Sequence, residues 1–313
     1  MNIWVPKTKI LEPRDPIVPP KSGVAGYFRI EGFRPDGRRR VLSDWKKNLI
    51  TDGGLHRWAA GAPIAYCSVG SGTTPPANSD IALETFVAQH DSIPSGVYGA
   101  QSTAPYYGWT RWVFRFNPPG TEHTISEFGT GWGTNGTDLW SHAAVSPAVT
   151  WLDDETLDIT YEMRVYPPTE DRVYETLLAG AVREGVIRAM DVDNGEHWRF
   201  YNNEFRFDKA GDGTDATTWV TNGMVMPITQ APLGTEWAAC TIISQDAYNN
   251  NYKRKGTVRL ESEEGNLTDG ISVIYHVGYG QWQMSVDPAI EKISGTTLTL
   301  NVETMIWGRY TAP

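Results

Sequence analysis

From Gly26 onward the chain alternates apolar and polar positions in the two-residue period of antiparallel sheet. Tyr27 to Phe33 alternates, Pro35-Asp36-Gly37 supplies a tight turn whose Gly tolerates positive φ, and Arg38 to Trp45 returns, which predicts a hairpin. Leu55, Trp58 and Ala59 stand at helical spacing and predict a short helix over Gly54 to Ala60, ended by Gly61. A loop rich in Gly, Ser, Thr and Pro follows from Gly70 to Asp80, and further strands are expected at Trp109 to Phe116 and Glu155 to Tyr166. In the last of these Leu157, Ile159, Tyr161, Met163 and Val165 share one face, and Asp158, Thr160, Glu162 and Arg164 the other. That pattern marks a sheet with one buried and one wet face. Between Asp171 and Met190 the apolar spacing is helical, but Gly180 and Gly185 interrupt it and β-branched residues rise toward Ile187, so strands are expected.

The alternating segments repeat. Ser146-Pro147-Ala148-Val149 leads through an acidic turn into the Leu157 strand, and Asp287-Pro288-Ala289-Ile290 leads through Ser294-Gly295 to Leu298, Leu300, Val302 and Ile306. Thr156, Leu157 and Glu162 recur as Thr297, Leu298 and Glu303 at a constant offset. Upstream, Trp112 to Phe116 followed by Ile125-Ser126 has a looser echo in Thr257 to Leu260 followed by Ile271-Ser272. With 313 residues, the chain suits two domains of about 100 to 200 residues each. The expected fold is therefore all-β: two antiparallel β-sandwich domains, an internal duplication, over residues 23–168 and 169–313, divided near Pro167-Pro168.

Residues 1–22 break the pattern. Pro6, Pro13, Pro16, Pro19 and Pro20 favour an extended, polyproline-like arm and exclude a regular helix. Trp4, Ile10, Leu11, Ile17 and Val18 are more apolar than a solvating tail needs, and Lys7, Lys9, Arg14 and Lys21 add charge. These nine residues are the expected contacts to a neighbouring subunit.

Charge sharpens that expectation. The net charge is −10, yet basic residues outnumber acidic ones up to Ile50, so the remainder is strongly acidic. That balance argues against nucleic acid as a partner and suits a basic segment meeting an acidic neighbour. No apolar run approaches the roughly 18 to 20 residues that span a bilayer, and the N-terminus lacks a secretory pattern, so no membrane partner and assembly from the cytoplasm are expected. Cys67 and Cys240 lack metal-ligand spacing and read as reduced core thiols.

Candidate chemistry is sparse. The six histidines are scattered, no His-Glu-x-x-His or Gly-x-Ser-x-Gly occurs, and Val69-Gly70-Ser71-Gly72-Thr73-Thr74 lacks a phosphate-loop lysine, so neither an enzyme nor a cofactor is expected. Two acidic loops carry oxygen ligands suited to calcium: Asp191, Asp193, Asn194 and Glu196, then Asp208, Asp212 and Asp215. Neither fits the EF-hand register, and turns favour these residue types for backbone reasons alone. Tyr106, Tyr107, Trp132, Trp140, Tyr248, Tyr252, Tyr279, Trp282 and Trp307 fall in loops or on expected outer faces, where such residues pack sugars or partner subunits.

The string Lys47-Asn48-Leu49-Ile50-Thr51-Asp52-Gly53-Gly54-Leu55, then Ser68-Val69-Gly70-Ser71-Gly72-Thr73-Thr74-Pro75-Pro76 with Ala82-Leu83, resembles the opening of tailed-bacteriophage virion proteins of the tail fibre, baseplate-associated or minor structural kind. Ile125 to Gly129, Leu139-Trp140-Ser141, Pro147 to Thr150 and Leu157-Asp158-Ile159 continue the order, so the resemblance spans roughly residues 45–166. One departure is His142, where an Arg commonly follows the Leu-aromatic-Ser segment. The resemblance implies a virion structural protein, a homo-oligomer in a symmetric assembly with other virion subunits as partners, and it supplies no catalytic residues. A host-glycan receptor-binding tail protein is the leading alternative, with a host-surface glycan as partner. A capsid decoration protein and a polysaccharide depolymerase are the others.

Overall fold

A computed structural model of the chain describes residues 10–11, 19–59, 64–90, 96–198, 218–245, 255–277, 280–303 and 306–311. In chain order the first part holds β1 (Ile10–Leu11), β2 (Lys21–Phe33), β3 (Arg39–Lys47), β4 (Leu49–Ile50), α1 (Asp52–Ala59), β5 (Tyr66–Gly70), β6 (Phe86–His90), β7 (Val97–Gln101), β8 (Tyr107–Phe116), β9 (His123–Gly131), β10 (Leu139–Trp151) and β11 (Thr156–Tyr166). The second holds β12 (Arg172–Leu178), β13 (Ala181–Ala189), α2 (Gly195–Trp198), β14 (Thr218–Thr221), β15 (Trp237–Ala239), β16 (Thr241–Gln245), β17 (Lys255–Leu260), β18 (Ile271–His276), β19 (Trp282–Ile290), β20 (Thr297–Glu303) and β21 (Ile306–Arg309). The fold is all-β with antiparallel sheets. The expected hairpin is β2–β3, with Gly37 at φ +83, and the Asp171–Met190 stretch is the hairpin β12–β13.

The chain divides into two compact units, one of Gly23–Tyr166 with the chain's end from Trp307, the other centred on Pro167–Trp198 and the stretch to Ile306. The units part between Tyr166 and Pro167, and the C-terminal segment from Trp307 belongs with the first. There β21 joins the sheet of β2, Tyr310 N–H donates to the Val24 carbonyl at 2.8 Å, and Arg309 Nε donates to the Ile50 carbonyl at 2.5 Å. The Tyr310 ring stacks on Tyr166 at 3.6 Å.

In the first unit a five-stranded sheet, β4-β10-β9-β5-β6, faces a six-stranded one, β21-β2-β11-β8-β7 with β3 beside β2. The core forms where the apolar faces meet: Phe28, Ile30, Phe114, Ile159 and Met163 from the larger sheet, Cys67, Val69, Ile125, Phe128 and Trp140 from the smaller. Phe28 and Phe128 stack at 5.1 Å. Each such side chain contributes about 1.5 to 3 kcal/mol through removal from water. Tyr161 brings one polar group into this core, and its hydroxyl accepts from Asn48 Nδ2 at 3.2 Å and Trp140 Nε1 at 3.0 Å while donating to Ser141 Oγ at 3.2 Å. A buried hydroxyl so satisfied fixes register between the sheets.

The second unit repeats this order. Its six-stranded sheet runs β12-β13-β19-β18-β14-β15 and its four-stranded sheet β1-β20-β17-β16. The run β10-β9-β5-β6 corresponds to β19-β18-β14-β15, and β11-β8-β7 to β20-β17-β16. The repeated sequence segments therefore occupy equivalent strands, and both proline bonds, Ser146-Pro147 in β10 and Asp287-Pro288 in β19, are cis. Beside β11 the first unit places the long antiparallel β2; beside β20 the second has β1, paired in parallel through Ile10 to Thr297 and Leu11 to Leu298.

Candidate functional site

The outer face of the six-stranded sheet in the first unit is where charged and aromatic side chains converge. On β11 the period-two pattern sends Asp158, Glu162 and Arg164 to this face, and register sets Glu162 opposite Arg111 of β8 and Tyr27 of β2. Asp158 stands likewise between Arg115 and Glu31. Sequence reasoning expected a wet face, yet Asp158 is only 5% and Glu162 2% exposed. Arginines from the flanking strands cover them. Arg111 Nε donates to Glu162 at 2.9 Å and Arg164 Nε to the other oxygen at 2.6 Å; Arg115 holds Asp158 with two bonds, at 2.7 and 2.5 Å. Two-pronged guanidinium–carboxylate pairs of this kind fix both partners' orientation. Burial works against the charge on Arg164, but its bonds to Glu162 and Tyr166 and the attraction of Glu162's charge together outweigh it and leave the pKa above the ordinary guanidinium value. Arg115 is raised too, chiefly by its bond to Asp158.

Aromatic rings layer onto these cations. Arg111 lies 5.2 Å from the Trp45 ring centre and 4.8 Å from that of Trp109, and Arg164 lies 4.1 Å from Tyr27 and 4.5 Å from Tyr107. Trp109 can lie flat because its neighbour on β7 is Gly99, where a Cβ would come 2.7 Å from the indole. Around the ladder Trp45, Val113, Val41 and Val97 remain 39%, 44%, 53% and 60% exposed. Chemically this is a preorganised, amphipathic surface: rigid aromatics, held arginines and exposed aliphatics, the composition of contact hot spots.

A second cluster supports the loop at residues 70–85. Glu127, 2% exposed, accepts backbone N–H bonds from Gly72, Glu84 and Thr85 at 2.9, 3.0 and 2.7 Å. His142, at the position of the departure from the virion-protein pattern, lies between Glu127 at 3.1 Å and Asp80 at 2.7 Å. At this strand end an imidazole, in place of the Arg of the virion-protein pattern, faces two carboxylates. This is scaffolding, and it holds the Gly-rich loop against the sheet.

Of the arm residues expected to contact a neighbour, Ile10 and Leu11 pair with β20 of this same chain, Lys21 opens β2 with its side chain exposed, and Trp4, Lys7, Lys9, Arg14, Ile17 and Val18 lie outside the described residues. Asp191 and Asp193 sit in the turn before α2, where Asp191 adopts φ 49 and its carbonyl accepts from Asn194 N–H at 3.0 Å. Asp208, Asp212 and Asp215 lie outside the described residues. Among those described, no group of three His, Cys, Asp or Glu side chains is placed to hold a metal ion. Trp140 and Trp282 are fully buried, so they are core residues and not contact residues. Both cysteines are free and buried, and burial raises the Cys67 thiol well above its ordinary pKa and pushes Cys240 up to about 12. No helix among the described residues is long and apolar enough to cross a membrane.

Sequence reasoning found the carboxylates of the ladder but not their arginine cover, although Arg111, Val113 and Arg115 alternate with Trp112, Phe114 and Phe116 and so announced the same face of β8. Comparison with family models, with curated proteins and with solved structures gives no match, so the resemblance of residues 45–166 to tailed-phage virion proteins rests on the quoted residues.

Proposed function

We propose that this protein is a non-catalytic structural subunit of a bacteriophage virion, in the tail, baseplate or fibre-attachment region, that binds neighbouring subunits through the outer face of the β21-β2-β11-β8-β7 sheet. The observation that carries the reading is the ladder of Arg111, Arg115 and Arg164 locked on buried carboxylates and layered with Trp45, Trp109, Tyr27 and Tyr107. Pairing the buried carboxylates serves the sheet itself, but it does not call for Trp45, Val41, Val97 and Val113 to stand partly exposed around them. A face that docks gains from such rigid cover, since ordered side chains lose less entropy on contact. The basic bias of the segment up to Ile50, within a chain of net charge −10, suits an acidic neighbour. The fixed order of virion-like segments over residues 45–166 supports the same assignment.

The test is incorporation. Trp45→Ala and Val113→Glu alter exposed positions and should leave the unfolding transition within about 1 kcal/mol of wild type. Copies recovered with purified particles should fall at least about tenfold, a loss of roughly 1.4 kcal/mol or more in contact energy. Undiminished incorporation of both variants would remove this face from the assembly contacts.

A further inference from the structure

The β12–β13 hairpin forms one edge of the six-stranded sheet in the second unit, and among the described residues β12 pairs with β13 alone. On its outward face Val173 and Val182 stand 78% and 59% exposed. Between them register sets Glu175 directly opposite Glu184, and Glu184 opposite Asp287 of β19. Three exposed carboxylates therefore lie in a row across strands spaced about 4.7 to 4.9 Å apart. None of the three has a hydrogen bond or ion pair among the described residues, whereas Arg188, two rows away on the same face, is paired with Asp171 at 2.5 Å.

Like charges directly opposite each other destabilise a sheet. The hairpin is thus less stable alone than against a positive surface, and its exposed valines add apolar contact at the same place. The acidic row also disfavours a contact between two such hairpins, because a self-paired contact would bring two rows of carboxylates together.

The outer face of the first unit has the opposite character. Glu162 is shared by Arg111 and Arg164, and Glu31 by Arg29 and Arg39. Lys47 donates to the Tyr310 carbonyl at 3.0 Å and has no carboxylate partner among the described residues. Even with Asp44 at 3.8 Å from Arg29, this face keeps a surplus of positive charge around the exposed Trp45 and Val41. Opposite charge and exposed aliphatics on both sides make the two surfaces complementary.

We propose that the outward face of the β12–β13 hairpin docks onto the outer face of the first unit in a second copy of this chain, so that copies join head to tail. The proposal rests on the reading of the first unit's outer face as an assembly surface and names what covers it.

The test follows the association state of the full chain by sedimentation velocity. A contact of this kind dissociates on dilution, so wild type should associate at about 100 µM and be monomeric by about 1 µM. Glu184→Lys puts a cation between Glu175 and Asp287, which should hold or raise the second unit's unfolding transition and yet weaken association at least about tenfold. Val113→Glu, on the other surface, should weaken association as much. Each variant keeps one intact surface, so an equal mixture of the two should restore a complex that stops at two chains. A wild type that stays monomeric throughout, either variant associating as wild type does, or a mixture that remains monomeric would each overturn the proposal. Incorporation into particles separates it from the reading it rests on. Val113→Glu chains lost from particles while Glu184→Lys chains are retained would overturn this contact alone; Val113→Glu chains retained would overturn the outer face itself.

Discussion

Truncating Glu127 to alanine removes one carboxylate and strands several groups at once. Gly72, Glu84 and Thr85 lose the acceptor for their backbone N–H groups, and His142 Nε2 loses a partner at 3.1 Å. A hydrogen bond to a charged group contributes about 1.5 to 3 kcal/mol net, and an unsatisfied buried donor costs a similar amount. The full sum over these donors is an upper bound, because Thr73 to Pro75 are exposed and water can reach the loop once it loosens. A loss of about 4 kcal/mol is expected for the first unit, a large part of the 5 to 15 kcal/mol typical of a domain. Glu84 provides the internal control. It holds the same loop, accepting from Thr73 and Thr74 N–H at 2.7 and 2.8 Å, and those bonds keep its carboxyl below the ordinary range, but it is exposed. Glu84→Ala should therefore cost far less. Urea unfolding followed by tryptophan fluorescence and far-ultraviolet dichroism resolves both changes, read on whichever transition also responds to Tyr161→Phe in the first core. Glu127→Gln, which keeps one acceptor oxygen, should fall between wild type and Glu127→Ala. If Glu127→Ala matches Glu84→Ala, or costs under about 1 kcal/mol, buried carboxylate capping is not what holds the loop.

Other measurements probe the remaining parts. His276 is fully buried against Trp282, and burial lowers its pKa to about 4 from 6.5. The unfolded chain therefore binds a proton that the folded one refuses, and its contribution to stability, complete above pH 6.5, declines as pH falls to 4, by about 3 kcal/mol in all. Unfolding of wild type and His276→Phe between pH 4 and 7 should show that dependence in the former and a flatter profile in the latter; parallel profiles would refute it. Gly99→Ala should displace the Trp109 ring, whose nearest atom lies 2.7 Å from the added Cβ, and destabilise the first unit by about 1 to 3 kcal/mol in thermal unfolding. Deleting residues 2–20 removes β1, which among the described residues pairs through Ile10 and Leu11, so the main unfolding transitions should persist in calorimetry. Loss of all cooperative unfolding in that variant would show the arm to be integral to the second unit.

Much of the fold was legible because antiparallel strands carry their own signal. The alternation of Leu157, Ile159, Tyr161, Met163 and Val165 named a buried face, and each of these side chains is in the core. The repeat of Thr156-Leu157 as Thr297-Leu298 anticipated a shared strand order, since equivalent strands conserve which face must be apolar. Pairing between distant strands carries no local mark. The return of β21 to β2 depends on contacts between opposite ends of the chain, and nothing in Ile306-Trp307-Gly308-Arg309 distinguishes one edge from another. The ladder was half legible: Asp158 and Glu162 were placed on the right face, but their burial comes from Arg115 and Arg111 on another strand. The Glu127–His142–Asp80 cluster joins three separate segments, and only the unusual His142 hinted at it. The abundance of Trp and Tyr suggested contact residues, yet Trp140 and Trp282 fill cores, because large rings bridge two sheets as readily as they meet partners.

The central claim is that the outer face of the first unit is covered in the assembled particle, and a single engineered thiol tests it. Cys67 and Cys240 are buried with their thiols held protonated, so they should remain silent toward a maleimide while the protein is folded. Val113, 44% exposed at the centre of the ladder face, is the site for Val113→Cys. The isolated variant should label rapidly at that position, and the same variant within purified particles should label at least about tenfold more slowly, as expected of a thiol beneath a contact. Equal labelling rates in the two states would leave the ladder facing solvent and contradict the account.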